Sequence, residues 1–274
     1  MFKIPVQNSI WEIDSPQIMG ILNITADSFY ANSRVNTVEL ALEIAEKFIN
    51  EGAKIIDIGG QSTRPGATFI SIKEEIDAVT PIIEALRLKF PNTYISIDTF
   101  NSEVALQSLQ AGANIVNDIS CGSFDERMLE VVATHRAGYI GMHITGSFET
   151  MHLVPSRENV ILDLVSYFKE KKQILENFGI QQWIIDPGFG FGKTIQENFS
   201  IVKELGQLKE IGLPILLGAS RKSSIYKTLN ITASEALNGT TVVNTVGLMN
   251  GANIIRVHDV KEAKEVIDII QLLK

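Results

Sequence analysis

At 274 residues, 45% of them hydrophobic and 20% charged, the chain has enough material for one large globular domain, and its net charge of −8 argues against non-specific nucleic-acid binding. No charged leader precedes an apolar stretch and no apolar run reaches bilayer length, so a soluble cytoplasmic protein that does not span a membrane is expected. The single cysteine, Cys121, has nothing to pair with, which fits a reducing compartment and a small core residue. In chain order, residues 2–13 alternate apolar and polar side chains, the pattern of a short hairpin. Apolar runs of strand length then recur at 18–22, 55–58, 94–97, 115–119, 139–142, 183–185, 214–217 and 254–257. Amphipathic helical stretches lie between them, including 38–50, 72–89, 157–177 and 233–250. Glu51-Gly52-Ala53, Ala111-Gly112-Ala113 and Asn250-Gly251-Ala252 each put glycine after a helical pattern and ahead of a β-branched run. Glycine accepts the left-handed conformation that stops a helix, so a strand starts within a few residues. Eight such strand–helix units predict an α/β fold, a single (β/α)8 TIM barrel domain over 1–274 with the hairpin closing its floor. The competing architecture, an open doubly wound sheet, lacks its Gly-x-Gly-x-x-Gly after the first strand.

Barrel enzymes place their chemistry just past the carboxyl ends of the strands. Those positions hold Asn23, Asp57, Asp98, Asn117 with Asp118, His143, Asp186, Ser220 to Lys222, and Arg256 with His258, all polar. Asp186 ends the buried run Trp183-Ile184-Ile185 before a Pro-Gly break; it needs a cationic or donating partner there, or it caps the next turn. Asp98, Asn117, Asp186 and Lys222 mix acceptors with donors, as the edge of a flat heterocycle requires. Arg64, Arg256 and His258, with backbone donors near Thr63, make a cationic corner suited to a phosphate or diphosphate. Asn23 offers an amide oxygen to a hard divalent cation, or caps a turn. No Ser-His-Asp or paired-acid arrangement is visible.

Several stretches then match one family in order: Met19-Gly20-Ile21-Leu22-Asn23-Ile24-Thr25-Ala26-Asp27-Ser28-Phe29, Asp57-Ile58-Gly59-Gly60-Gln61-Ser62-Thr63-Arg64-Pro65-Gly66, Ser96-Ile97-Asp98-Thr99, Asn117-Asp118-Ile119, Asp186-Pro187-Gly188-Phe189-Gly190-Phe191-Gly192-Lys193, Ser220-Arg221-Lys222 and Arg256-Val257-His258-Asp259-Val260. Together they resemble the dihydropteroate synthase family. The resemblance implies a barrel that joins 6-hydroxymethyl-7,8-dihydropterin diphosphate to p-aminobenzoate in folate synthesis, a sulfonamide target and a homodimer. It makes Asn23 the magnesium (Mg2+) ligand and assigns Thr63, Arg256 and His258 to the diphosphate. Asp98, Asn117, Asp186 and Lys222 fall on pterin contacts. Arg64, Pro65, Phe191, Arg221 and Ser223 would surround the p-aminobenzoate, and the segments 25–34 and 62–70 would be mobile loops. The implied chemistry is carbon–oxygen heterolysis, for which Arg64, Lys222, Arg256 and His258 supply the catalytic cations and donors.

The chain departs from the family pattern at Ala26, where proline is usual, and at Gln61, where glutamate is usual; Met142-His143-Ile144-Thr145-Gly146 also lacks a lysine common near its end. A pterin-binding methyltransferase domain, passing a methyl group from a reduced folate to a corrinoid, would share the barrel and the acids without needing the 256–258 corner. A non-catalytic pterin-binding paralogue would lose Phe29, Thr63 and Arg64, which are present. His135 and His152 sit at no strand end and read as surface or loop residues. His143 does sit at one, and Lys193 reads as a brace for the glycine loop. Lys169-Glu170-Lys171-Lys172 reads as a solvated helix face, and Gly239-Thr240-Thr241 as packing.

Overall fold

The computed structural model describes residues 1–24, 34–61, 69–150 and 158–273. Thr63, Arg64, Pro65, Ala26 and His152 lie outside the described residues, as do most of the two expected mobile loops. The chain opens with the antiparallel hairpin β1 (Phe2–Val6) and β2 (Ser9–Ile13). The barrel follows as β3 (Gln17–Asn23), α1 (Arg34–Asn50), β4 (Ile55–Gly59), α2 (Ile72–Lys89), β5 (Tyr94–Asp98), α3 (Ser102–Ala111), β6 (Ile115–Asp118), α4 (Met128–His135), β7 (Gly138–Met142) and α5 (Val160–Asn177). It continues with β8 (Ile184–Asp186), α6 (Ile195–Glu204) and a 3-10 turn at Leu205–Ile211. Last come β9 (Leu216–Leu217), α7 (Ser223–Leu229), α8 (Leu237–Met249), β10 (Ile254–Val257) and α9 (Val260–Leu273). All eight barrel strands pair in parallel in chain order, β10 returns to β3, and an Ile185–Ile215 bridge closes β8 onto β9.

Two expected elements come out differently. The strand at 214–217 shrinks to Leu216–Leu217, because Pro214 has no N–H to give and serves only as an acceptor, from Ile185 N at 3.0 Å. The helix expected over 233–250 starts at Leu237, and a separate short helix, α7, precedes it, stopped by Asn230 in the left-handed region at φ 54°. The lysine run of α5 is also not simply solvated: Lys171 Nζ donates to Cys121 O at 2.8 Å and Lys172 Nζ to Ile211 O at 2.9 Å, tying the helix to its neighbours.

Side chains alternate between the barrel's inside and its helix-facing outside, and that period sorts every strand. Met19, Ile55, Ile115, Ile140, Ile184, Leu216 and Ile254, with Tyr94, point inward and pack against Ile4, Val6, Trp11 and Ile13 of the hairpin, which plugs the floor as expected. Their chain neighbours Ile56, Val116, Tyr139, Ile185, Leu217 and Ile255 belong to the larger core beneath the helices. Two residues further along each strand the same inward parity carries Asp57, Ser96, Asn117, Asp186 and Arg256, and four further it carries Asn23, Asp98 and, just past β10, His258. The interior is therefore apolar at one end and polar at the other.

Candidate active site

Inward parity brings Arg256, Asp57, Asp98 and Asn117 into one hydrogen-bonded net. Arg256 donates through Nε to Asp57 Oδ2 at 2.6 Å and through Nη2 to Asp98 Oδ2 at 2.5 Å. Asn117 donates from Nδ2 to the same Asp57 oxygen at 3.2 Å. The side chains of Arg256, Asp57 and Asp98 are 18%, 0% and 14% exposed, so these charges meet almost out of water. Two carboxylates beside one guanidinium leave the corner acidic at this point, and Arg256 bridges it to the acids instead of standing apart as a free phosphate fork. Its Nη1 has no partner among the described residues.

Burial raises Asp98 to about 7, against the pull of Arg256 and with a further push from Asp57. Asp186 is raised by burial too, opposed by Lys222 and by the Gly188 N–H, which donates to Asp186 Oδ1 at 2.7 Å. Burial alone would lower Arg256, but Asp57 and Asp98 hold it above the ordinary arginine range. Lys222 is pushed down to about 8 by burial, with Asp186 resisting. Its Nζ donates to the Phe189 carbonyl and lies 4.5 Å from the centroid of the Phe191 ring, a cation–π contact. Phe191 is itself buried among Ile119, Met142 and Ile144, forming an apolar wall beside the polar ring.

The loops after β9 and β10 are cross-linked twice. Ser220 Oγ accepts from His258 N at 3.2 Å and stands 3.0 Å from His258 Nδ1, so one hydroxyl holds both the backbone and the ring of His258. Arg221 forks onto Asp259 with Nε–Oδ2 and Nη2–Oδ1 distances of 2.8 Å each, and its Nη1 donates to the carbonyls of Ala233 and Ser234. The Arg221 guanidinium, expected around the p-aminobenzoate, is thus tied to the turn, where Arg221 holds φ +53° while its N–H donates to Thr240 Oγ1 at 3.0 Å. Lys222 and Ser223 follow directly as the cap and first residue of α7.

Asn23 is exposed at the end of β3. A Cβ on its neighbour Gly59 would fall 3.5 Å from Asn23 Oδ1 and 3.8 Å from Asp98 Oδ2, so the absent side chain leaves a cradle between an amide oxygen and a carboxylate. Among the described residues no group of three His, Cys, Asp or Glu could enclose a metal ion. The donor set suits an ion such as magnesium that keeps several waters and takes substrate oxygens beside a single protein ligand.

Sequence reasoning placed Asp57 at a strand end but gave it no role; the signal was a lone charge inside Ile55-Ile56-Asp57-Ile58, where inward parity puts it under Arg256. Ser220 and Asp259 were likewise missed as the holders of His258 and Arg221. Asp118 and His143 have the opposite parity and face the helices. Asp118 is the hub of its own turn, accepting from Ser120 N, Ser120 Oγ, Gly122 N and Tyr139 Oη. His143 stacks edge-on against Tyr167 of α5.

A family model for pterin binding enzymes matches residues 19–258. The chain belongs to the pterin-binding enzyme family. Among curated pterin-binding enzymes it is 40% identical to the dihydropteroate synthase of Escherichia coli K12 over 271 residues, covering 98% of this chain and 95% of that one. Among solved structures it superposes on Yersinia pestis dihydropteroate synthase in a sulfonamide drug complex, with TM-score 0.91 and 35% identity, covering 99% and 98% of the two chains. It also superposes on Xanthomonas albilineans dihydropteroate synthase with 4-aminobenzoic acid, with TM-score 0.90 and 33% identity, covering 99% and 97%.

Proposed function

We infer that the chain carries out the dihydropteroate synthase reaction of folate synthesis, a pterinylmethyl transfer: it joins 6-hydroxymethyl-7,8-dihydropterin diphosphate to 4-aminobenzoate and releases diphosphate. The observation that carries this reading is the inward ring of Asp57, Asp98, Asn117, Asp186 and Arg256 with Lys222 beside it, a set of acceptors and donors matched to a pterin edge. Asp98 and Asp186 accept from the ring's N–H groups, Asn117 offers both an acceptor and a donor, and Lys222 donates to the ring carbonyl. Phe191 and its apolar neighbours exclude water from one side of the bicycle. The electron-rich pterin stabilises the cation left when the methylene carbon–oxygen bond breaks. Arg256 through Nη1 and His258 through a ring N–H take the charge that develops on the departing oxygen. The aniline nitrogen of the second substrate forms the new carbon–nitrogen bond and releases a proton. No strong base is required, because the breaking bond supplies the driving electrophile.

Thr63 and Arg64 join the diphosphate and p-aminobenzoate sides in this reading, with Phe191, Arg221 and Ser223 around the arylamine; Arg221 acts there by holding the turn that carries Lys222 and Ser223. Asn23 holds a magnesium ion, which when bound neutralises charge on the diphosphate. A sulfonamide that mimics 4-aminobenzoate competes for the arylamine position. The chain works in the cytoplasm without nucleic acid or membrane partners, a reading that its net charge of −8 supports for nucleic acid. It works as a homodimer through α8, whose Val242, Val246 and Met249 form an i, i+4, i+7 stripe 56%, 39% and 60% exposed. Light scattering of Val246→Lys tests that pairing: a monomer is expected, and an unchanged dimer contradicts this choice of face.

The site reading is tested by calorimetric binding of the pterin diphosphate and of the free pterin alcohol to Arg256→Ala. The diphosphate ester should lose far more affinity than the alcohol. Equal losses overturn the assignment of Arg256 to the leaving group.

A further inference from the structure

We propose that Lys193 and His143, neither of which faces the barrel interior, act as a positioning pair for Lys222. This rests on the reading of Lys222 as a pterin contact. The Lys193 side chain is buried, and its ammonium is ringed by three acceptors: Gly188 O at 2.9 Å, Phe191 O at 3.1 Å and His143 Nδ1 at 3.1 Å. Three donors therefore meet three acceptors, and the loop 188–191 is wrapped around a single cation. A buried ammonium without such partners would be expelled or neutralised, so the loop cannot open without exposing it.

The outer surface of that same loop is what holds Lys222. The Phe189 carbonyl lies between the two carbonyls bound to Lys193 and accepts from Lys222 Nζ, and the Phe191 ring lies beneath the Lys222 ammonium. Gly190 leaves room for the Lys222 stem, since a Cβ there would come 2.8 Å from Lys222 Cδ. Lys193 thus holds the residue before the Phe189 carbonyl and the residue that carries the Phe191 ring, while Lys222 rests on that carbonyl and that ring. His143 completes the arrangement as an acceptor. Lys193 can donate to Nδ1 only if His143 is neutral with its proton on Nε2, and the edge-on Tyr167 ring, 4.7 Å away between centroids, holds the imidazole in that orientation. The backbone N–H of His143 also donates to Asp186 O at 2.9 Å, so the pair is anchored to the strand that carries a pterin acid.

Two substitutions at His143 separate an acceptor from a ring. His143→Phe keeps the aromatic edge contact and removes the acceptor; His143→Asn removes the ring and keeps an oxygen near the Nδ1 position. With Lys222 displaced by an ångström, kcat/KM for the pterin diphosphate should fall about a hundredfold in Lys193→Met and about tenfold in His143→Phe. In His143→Asn it should return to within about threefold of wild type, because the acceptor is restored. A merely structural role predicts something else, and a double-mutant cycle reads the difference. If Lys193 acts through Lys222, adding Lys193→Met to Lys222→Ala should cost less than about threefold more. A full further hundredfold loss in the Lys222→Ala background, or wild-type kcat/KM in His143→Phe, overturns the proposal. Should Lys193→Met fail to fold by circular dichroism, the two His143 variants decide alone. Wild-type activity in Lys222→Ala would instead sink the reading of Lys222 itself, an outcome distinct from failure of the pair.

Discussion

Arg256 neutralises Asp57 and Asp98, and in the proposed reaction it must also keep a face for an anion. Removing one partner of a buried charge net costs about 3–5 kcal/mol, because the remaining charges are left without compensation. Arg256→Ala should therefore be destabilised by about that amount, and the deficit should depend on pH. Asp98 is raised to about 7 even with Arg256 pulling it down, so without the guanidinium its carboxyl moves higher still. Below that point the orphaned acid takes up a proton and the loss shrinks; above it the loss is complete. Urea unfolding at pH 6 and pH 8 checks this, with the larger deficit expected at the higher pH and a pH-independent one contradicting it. In catalysis the signs of Asp98 and Lys222 differ. For the pterin diphosphate, kcat/KM should rise as Asp98 ionises near about 7 and fall as Lys222 gives up its proton near about 8, the two limbs belonging to the coupled cluster. Asp98→Asn should erase the lower limb and leave the upper, and an unchanged rate profile in that variant would show that another group sets it.

The turn between β8 and α6 is the element with least freedom to vary. Gly188 holds φ +70°, and a Cβ there would sit 2.2 Å from the His143 carbonyl oxygen, so both the backbone conformation and the space exclude a side chain. Gly188→Ala should cost at least about 2 kcal/mol of stability and lower kcat/KM as well, since the Gly188 N–H that holds Asp186 Oδ1 moves with it. Denaturant midpoints and steady-state rates measured together check both halves, and wild-type stability would contradict the clash. This turn also shows what the sequence made legible. Its strand, its break and Asp186 were readable because apolar run, Pro-Gly and charge are neighbours in the chain. The Lys193–His143 contact was not, because its partners are 50 residues apart and face the helix side. Arg256 was assigned to an anion from its motif, yet its two carboxylate partners lie 199 and 158 residues away and no local pattern announces them. The fork of Arg221 onto Asp259 was not legible for the same reason, since its partner lies 38 residues further on.

Across the whole barrel the two ends do different work. The hairpin end is apolar, with Trp11 1% exposed, stacked 5.2 Å from Tyr94 and donating its indole N–H to Gln17 at 2.8 Å. Trp11→Ala should cost about 3–5 kcal/mol while leaving kcat/KM per folded molecule unchanged, because the cavity opens at the far end from the polar ring. A melting curve and an activity assay on the folded fraction separate these outcomes, and a large loss of kcat/KM would mean that the floor and the mouth are coupled. The strand count, the closing hairpin and the polar carboxyl face were all readable from periodicity, since a barrel repeats one short pattern eight times. What periodicity could not supply was which polar residues share a face, and that follows from strand parity once the register is known. The central claim is that one mouth grips a pterin, passes its methylene carbon to an arylamine and releases diphosphate. Its most direct test follows diphosphate release on mixing 6-hydroxymethyl-7,8-dihydropterin diphosphate, 4-aminobenzoate and magnesium with wild type and with Asp186→Asn. Release matched one for one by dihydropteroate in wild type, and falling at least about a hundredfold in the variant, is the expected result. Release that yields no dihydropteroate when the arylamine is present, or that is undiminished in Asp186→Asn, would contradict it.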